Sequence, residues 1–159
     1  MKLLVKIIVS VLVCVGLGSL SGLVTAGEIK TWYITLNKPS FNPPKWVFGP
    51  AWSLLYTLMG IAFGIVWDYF SRKHIRLFKT TAARLFVVQF LLNLAWSSIF
   101  FSLHMIGFAL IEIIILWIFI LLTIIHFYRV KKIAGILLIP YILWVTFATV
   151  LTASIYHLN

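Results

Sequence analysis

Residues 38–56 read KPSFNPPKWVFGPAWSLLY, and the layout of the whole chain turns on this stretch. It holds four of the five prolines and two of the seven tryptophans. Pro43-Pro44 cannot lie inside a helix, because proline has no N–H to donate and the residue before it is driven out of the α region. From Trp46 onward no charged side chain occurs until Asp68, a run long enough to cross a bilayer. A stiff polar loop therefore feeds an apolar helix whose first turns carry Trp46, Phe48, Trp52 and Tyr56. Phe48, Trp52 and Tyr56 recur every fourth residue and share one helix face. Such a face serves either as an aromatic belt at the membrane interface or as the wall of a pocket beneath a proline-braced lid.

Composition sets the class. Of 159 residues, 63% are hydrophobic and 10% charged, and the mean hydropathy is +1.11. A soluble domain of this size has too little interior to hide that much apolar surface. The net charge of +10 would suggest nucleic acid in a soluble protein. Here the basic residues fall between hydrophobic runs, where anionic lipid headgroups and membrane topology account for them; no nucleic-acid partner is expected. The single cysteine, Cys14, lies inside an apolar run and excludes a disulfide framework or a cysteine metal cluster.

Five spans follow from the pattern. Residues 7–27 are uncharged between Lys6 and Glu28. A cleaved signal peptide competes for this segment, since Val24-Thr25-Ala26 resembles a cleavage site. The length of the run and the Gly18/Gly22 pair favour a retained helix able to pack closely. Residues 28–45 form a lid loop too aromatic, with Trp32, Tyr33 and Phe41, to be merely solvated. The second span covers about 46–67, with Gly60 and Gly64 as another small-residue pair. Leu85 to Tyr128 contains one charged residue, Glu112. As a single helix that run would be about 66 Å long, twice the hydrocarbon thickness. It must fold back, and Ser102 to Gly107 is the only plausible turn. The third and fourth spans are then 82–102 and 106–128, and the fifth is 133–157 with a kink at Pro140. The fold class is an all-α integral membrane protein, a single five-helix bundle over residues 1–159.

Ten basic residues flank one side of these spans, while Lys30, Lys38 and Lys45 alone lie on the other. The positive-inside rule puts the N-terminus in the cytoplasm, and the first loop and the C-terminus outside.

Few side chains within the spans can carry chemistry. Asn93 and Trp96 stand one turn apart on the third helix, and Phe100 continues their face. Trp144, Ala148 and Thr152 share a face of the fifth, where Ala148 leaves a step beside a large indole. Any one of these is explained by helix packing; three aromatic faces and an aromatic loop together point to a shared cavity. For Glu112, a structural hydrogen bond to a tyrosine or serine is favoured over a role in proton or cation coupling. His74, His104, His126 and His157 sit near helix ends, so axial haem ligation at depth is unsupported. No triad, phosphate loop or metal spacing is present, and neither a metal nor a resident cofactor is expected.

Three segments, KPSFNPPKWVFGPAWSLLYTLMGIAFG, LNLAWSSIFFSLH and IPYILWVTFATVLTASIYHLN, resemble the signature segments of the TspO/MBR family. That family comprises the tryptophan-rich sensory proteins of bacteria and the mitochondrial translocator protein. The resemblance runs from the first helix to the C-terminus. It implies a receptor or sensor, commonly a homodimer, that binds porphyrins or other flat hydrophobic molecules in a cavity under the first loop. Carried over position by position, the lining would be Trp32, Tyr33, Trp52, Tyr56, Asn93, Trp96, Trp144 and Ala148; the helix face adds Phe48. For some relatives light-dependent porphyrin degradation has been proposed, which would make Trp52 and Trp144 catalytic, and transport has been proposed for others. Porphyrin would then be ligand or substrate, with Lys38 and Lys45 available to its carboxylates. Three departures are visible. Phe41 stands where the family has Trp, and Thr152 replaces a common Asn. Tyr156 is not followed by the basic residue of the sterol pattern, so sterol binding is not carried over.

Overall fold

A computed structural model describes all residues, 1–159. Six helices account for the five spans. The first, α1 (Leu3–Lys30), extends beyond its uncharged core at both ends, so the connection that follows is shorter than 28–45. It contains one tight turn at Tyr33–Thr35. Pro44 then caps α2 (Lys45–Arg72), where the double proline stops the loop and a missing N–H costs nothing. Pro50 lies within the first two turns of α2, close enough to the start to be tolerated.

Helix α2 ends in a motif usually reserved for glycine. His74 adopts φ 55°, its N–H bonds the Ser71 carbonyl, and the Ile75 N–H bonds the Phe70 carbonyl at 3.0 Å. This is a Schellman closure with histidine at the left-handed position. Thr80 then caps α3 (Thr81–Ser97) by accepting a hydrogen bond from the Ala83 N–H. The last turn of that span, Ser98–Ser102, is a wide π turn, and the chain reverses through Leu103–Met105 with His104 at φ 56°. Helix α4 (Ile106–Val130) returns across the bundle. The fifth span is split into α5 (Lys132–Ile136) and α6 (Ile139–Leu158), and Pro140 sits in the first turn of α6. The break thus falls just before the proline, where its ring and missing N–H disrupt the preceding turn.

Close approach decides the packing of α1 on α2. A Cβ on Gly60 would lie 2.5 Å from the Val11 Cα, and one on Gly64 2.6 Å from the Ile7 Cα. The Gly60/Gly64 pair is therefore consumed inside the bundle, where backbones meet without side chains between them. Gly18 meets the Tyr56 ring, whereas Gly22 has open space beside it. The two helices are locked along their lower halves and leave a gap toward the loop.

The core centres on Met59, Ala62, Val66, Phe86, Leu116, Ile120, Phe127 and Tyr141. Phe86 stacks on Phe63, Phe90 and Phe127, tying α2, α3 and α4 together. Outward-facing positions are as apolar as the interior: Leu23, Val24, Leu91 and Leu143 are all exposed. Lipid, not water, is the solvent for such a surface.

At the end away from the loop, Lys6 and Asp68 form a buried ion pair at 2.9 Å, and Arg72 contacts the second Asp68 oxygen at 2.6 Å. Lys6 reads in sequence as a topology flank; its partner lies 62 residues away.

Candidate functional site: an aromatic cavity beneath the first loop

Four spans diverge toward the loop and enclose a cavity of about 370 Å³. Each wall follows from local sequence. The fourfold spacing on α2 puts Phe48, Trp52 and Tyr56 in line along one side. On α1, Gly18, Gly22 and Thr25 face them, with Ile29 above, so small residues make the space that the rings border. From the third span come Trp96 and Ser97, followed by Phe100 and Phe101. The π turn brings these last two neighbours to the same wall, and Phe100 stacks on Trp96 at 5.0 Å. From α6 come Trp144, Ala148, Leu151, Thr152 and Ile155. Gly22, Gly49 and Ser53 line the cavity yet remain exposed, so it opens sideways between α1 and α2.

Hydrogen bonds fix several of these rings. Trp96 Nε1 donates to the Ala109 carbonyl at 3.2 Å, and the Tyr56 hydroxyl donates to Asn93 Oδ1 at 2.8 Å. Trp52 stacks on Tyr56 at 5.4 Å, and Trp144 meets Phe48 edge-on at 6.1 Å.

Tyr33 forms the roof. Its hydroxyl donates to Asn42 Oδ1 at 2.8 Å, and Lys38 Nζ donates to the Tyr33 and Leu36 carbonyls at 2.8 Å each. Burial pushes the Tyr33 phenol above its ordinary pKa, and the bond to Asn42 works against that shift. The loop is also tied to the end of α6. Asn159 Oδ1 accepts from the Asn37 N–H and Asn159 Nδ2 donates to the Asn37 carbonyl, both at 2.9 Å. On the other flank, Trp32 stacks on His104 at 4.1 Å, and His104 Nε2 lies 3.0 Å from Glu28 Oε2.

Of the residues expected from sequence, Tyr33, Phe48, Trp52, Tyr56, Trp96, Trp144 and Ala148 are brought together around one space. Trp32 and Asn93 are not in the lining. Trp32 turns away to His104 and Phe100 and braces the loop; Asn93 stands behind Tyr56 as its hydrogen-bond acceptor. Lys38 is spent on loop carbonyls, which leaves Lys45 as the one charged side chain in the lining. The expected hydrogen bond for Glu112 is absent, since neither of its buried oxygens has a partner. Sequence reading missed the α1 wall, Phe101, and Leu151 and Ile155 of α6. The Gly18/Gly22 pair was the available signal, and it reads equally well as helix packing.

An aromatic cavity under a short loop in a five-span bundle matches the expected architecture, and comparison with known proteins decides the family. The TspO/MBR family model matches residues 10–158. This chain belongs to the TspO/MBR family. It is 40% identical over 156 residues to the tryptophan-rich protein TspO of Archaeoglobus fulgidus, covering 98% of each chain. It is 39% identical to the protein of the same name from Chlorobaculum tepidum, over 97% of this chain and 98% of that one. Human translocator protein is 36% identical over 136 residues, covering 84% of this chain and 78% of the human one. The TspO/MBR chain is thus an integral, multi-pass membrane protein with five helical spans. Its relatives include proteins named as sensors and translocators.

Proposed function

We propose that this TspO/MBR protein is a membrane receptor that binds porphyrins, and other flat apolar molecules of similar shape, in the cavity under its first loop. The observation that carries this reading is the lining. Seven aromatic rings from three spans, Phe48, Trp52, Tyr56, Trp96, Phe100, Phe101 and Trp144, surround one space. Its volume lies within the range of small-molecule sites, and indole faces suit a planar conjugated ligand. Lys45 at the rim supplies a cation for a ligand carboxylate, and the gap between α1 and α2 accommodates an edge too large for the cavity. The asymmetry of the basic residues supports an N-terminus in the cytoplasm with the loop outside, and family resemblance supports a homodimer.

Tryptophan-fluorescence titration with protoporphyrin in the dark tests this reading. Saturable quenching is expected, and Lys45→Gln should weaken it for protoporphyrin more than for an uncharged porphyrin ester. Quenching that never saturates, or is equal for both ligands and both proteins, overturns it.

A photochemical reading also has support, because Trp52 and Trp144 both line the cavity and an indole can exchange an electron with an excited macrocycle. Illumination of the bound complex separates the two. Receptor function leaves porphyrin loss at the protein-free rate; catalysis accelerates it and needs Trp52 and Trp144.

A further inference from the structure

One carboxyl group in the bundle interior has no interaction to account for it. Glu112 is buried in α4, and neither oxygen has a hydrogen-bond partner. The chain has only three acidic side chains. Asp68 is paired with Lys6 and Arg72, and Glu28 lies at the loop beside His104. An ionised carboxylate without a partner at this depth is costly, whereas the protonated acid is far cheaper to bury.

The position of Glu112 gives that proton a context. The Trp96–Ala109 hydrogen bond sets the register of the antiparallel α3–α4 pair. Asn93 and Glu112 each lie about one turn farther from the loop than the residues of that contact. Asn93 accepts from the hydroxyl of Tyr56, whose ring is cavity wall. One turn deeper, Gln89 Oε1 accepts from the Tyr141 hydroxyl at 2.9 Å, while Gln89 Nε2 has no partner. Cys14, Tyr56 and Tyr141 are buried together in the main core cluster. The titratable groups facing this layer are therefore Tyr56 from α2, Tyr141 from α6 and Cys14 from α1; α3 contributes only the amides. No basic side chain is buried among them, since Lys6 is the only buried base and belongs to Asp68.

We infer that Glu112 is a membrane-embedded proton-binding site whose occupancy is linked to filling of the cavity beside Tyr56. The step is a simple protonation, in which a proton from solution adds to the Glu112 carboxylate and no other bond is made or broken. A ligand seated against Tyr56 displaces water from the cavity floor and lowers the local dielectric. That disfavours the charged carboxylate further, so binding takes up a proton. By linkage, affinity falls as pH rises through the titration of Glu112. The linkage rests on reading the cavity as a ligand site; the proton site does not.

Infrared pH titration of ligand-free protein in lipid nanodiscs tests the site itself. The wild type should show a protonated-carboxyl stretching band at neutral pH that Glu112→Gln lacks and Glu112→Asp retains at a shifted frequency. No such band in the wild type, or a band surviving in Glu112→Gln, overturns the site, and the Asp variant decides if the Gln variant fails to fold. Calorimetric titration with protoporphyrin in the dark, in two buffers of different ionisation enthalpy, tests the linkage. At a pH where the infrared titration shows Glu112 partly ionised in the ligand-free protein, the wild type should take up more protons per ligand than Glu112→Gln. Its affinity should also fall more steeply with pH, by up to about tenfold per unit for one linked proton. Equal proton counts and equal slopes overturn the linkage. Complete absence of porphyrin binding removes the ligand assignment and with it the linkage, and leaves the infrared result standing.

Discussion

Tyr56 shows how much a single residue carries here. Its ring is cavity wall and meets Gly18, while its hydroxyl satisfies the buried Asn93. Tyr56→Phe keeps the wall but orphans the Asn93 oxygen. Thermal or denaturant unfolding in detergent should show a loss of about 1–3 kcal/mol, with dark affinity for porphyrin changed less than by a ring deletion. Trp144→Phe belongs to the other class: it retains a ring and loses area and the indole N–H. Porphyrin affinity should drop by about 0.5–1.5 kcal/mol with stability nearly unchanged, as read by fluorescence titration and melting. The Lys6–Asp68 pair has a third signature. Asp68→Ala leaves a buried ammonium and should destabilise by about 3–5 kcal/mol, whereas Lys6→Met with Asp68→Leu should recover most of that loss.

Elements differ in what their glycines do. Gly60 and Gly64 let α2 touch the backbone of α1, so Gly60→Ala must push the helices apart and should cost about 1–3 kcal/mol. Gly22 sits at the same kind of spacing with nothing beside it. Gly22→Ala should be neutral, or stabilise by up to about 1 kcal/mol through helix propensity. Paired unfolding measurements on the two variants read this contrast, and an equal loss in both would contradict the packing described for α1 and α2.

At the scale of the molecule, the loop is held from three directions: by Lys38 within itself, by Asn159 at the end of α6, and by the Trp32–His104 stack. Removing Asn159 should speed porphyrin release several-fold while leaving unfolding unchanged, measurable by stopped-flow dissociation. The Lys6–Asp68 contact and the Asn37–Asn159 clasp lie at opposite ends of the bundle, as five spans require. With Cys14 replaced, a cysteine at the exposed Ser40 should react with impermeant maleimide on intact cells; labelling only after lysis would reverse the orientation.

Span number, the turn at 102–107 and the aromatic faces of α2 and α6 were legible in the sequence. Uncharged length and fourfold spacing are local properties that the bilayer enforces. The cavity lining was legible wherever one helix face carried it, as with Phe48, Trp52 and Tyr56. It was not legible where backbone geometry or a distant partner decided. The π turn alone brings Phe101 to the cavity, and the diversion of Trp32 to His104 depends on a loop 72 residues away. Whether Gly18/Gly22 and Gly60/Gly64 border a neighbour or a void is likewise a relation between helices. The same holds for Lys6, Lys38, Asn93 and Glu112: sequence marks each as a polar group under constraint, and tertiary structure alone supplies or withholds the partner. Pattern along the chain encodes which face is apolar; the free energy of a buried polar group depends on what stands opposite it.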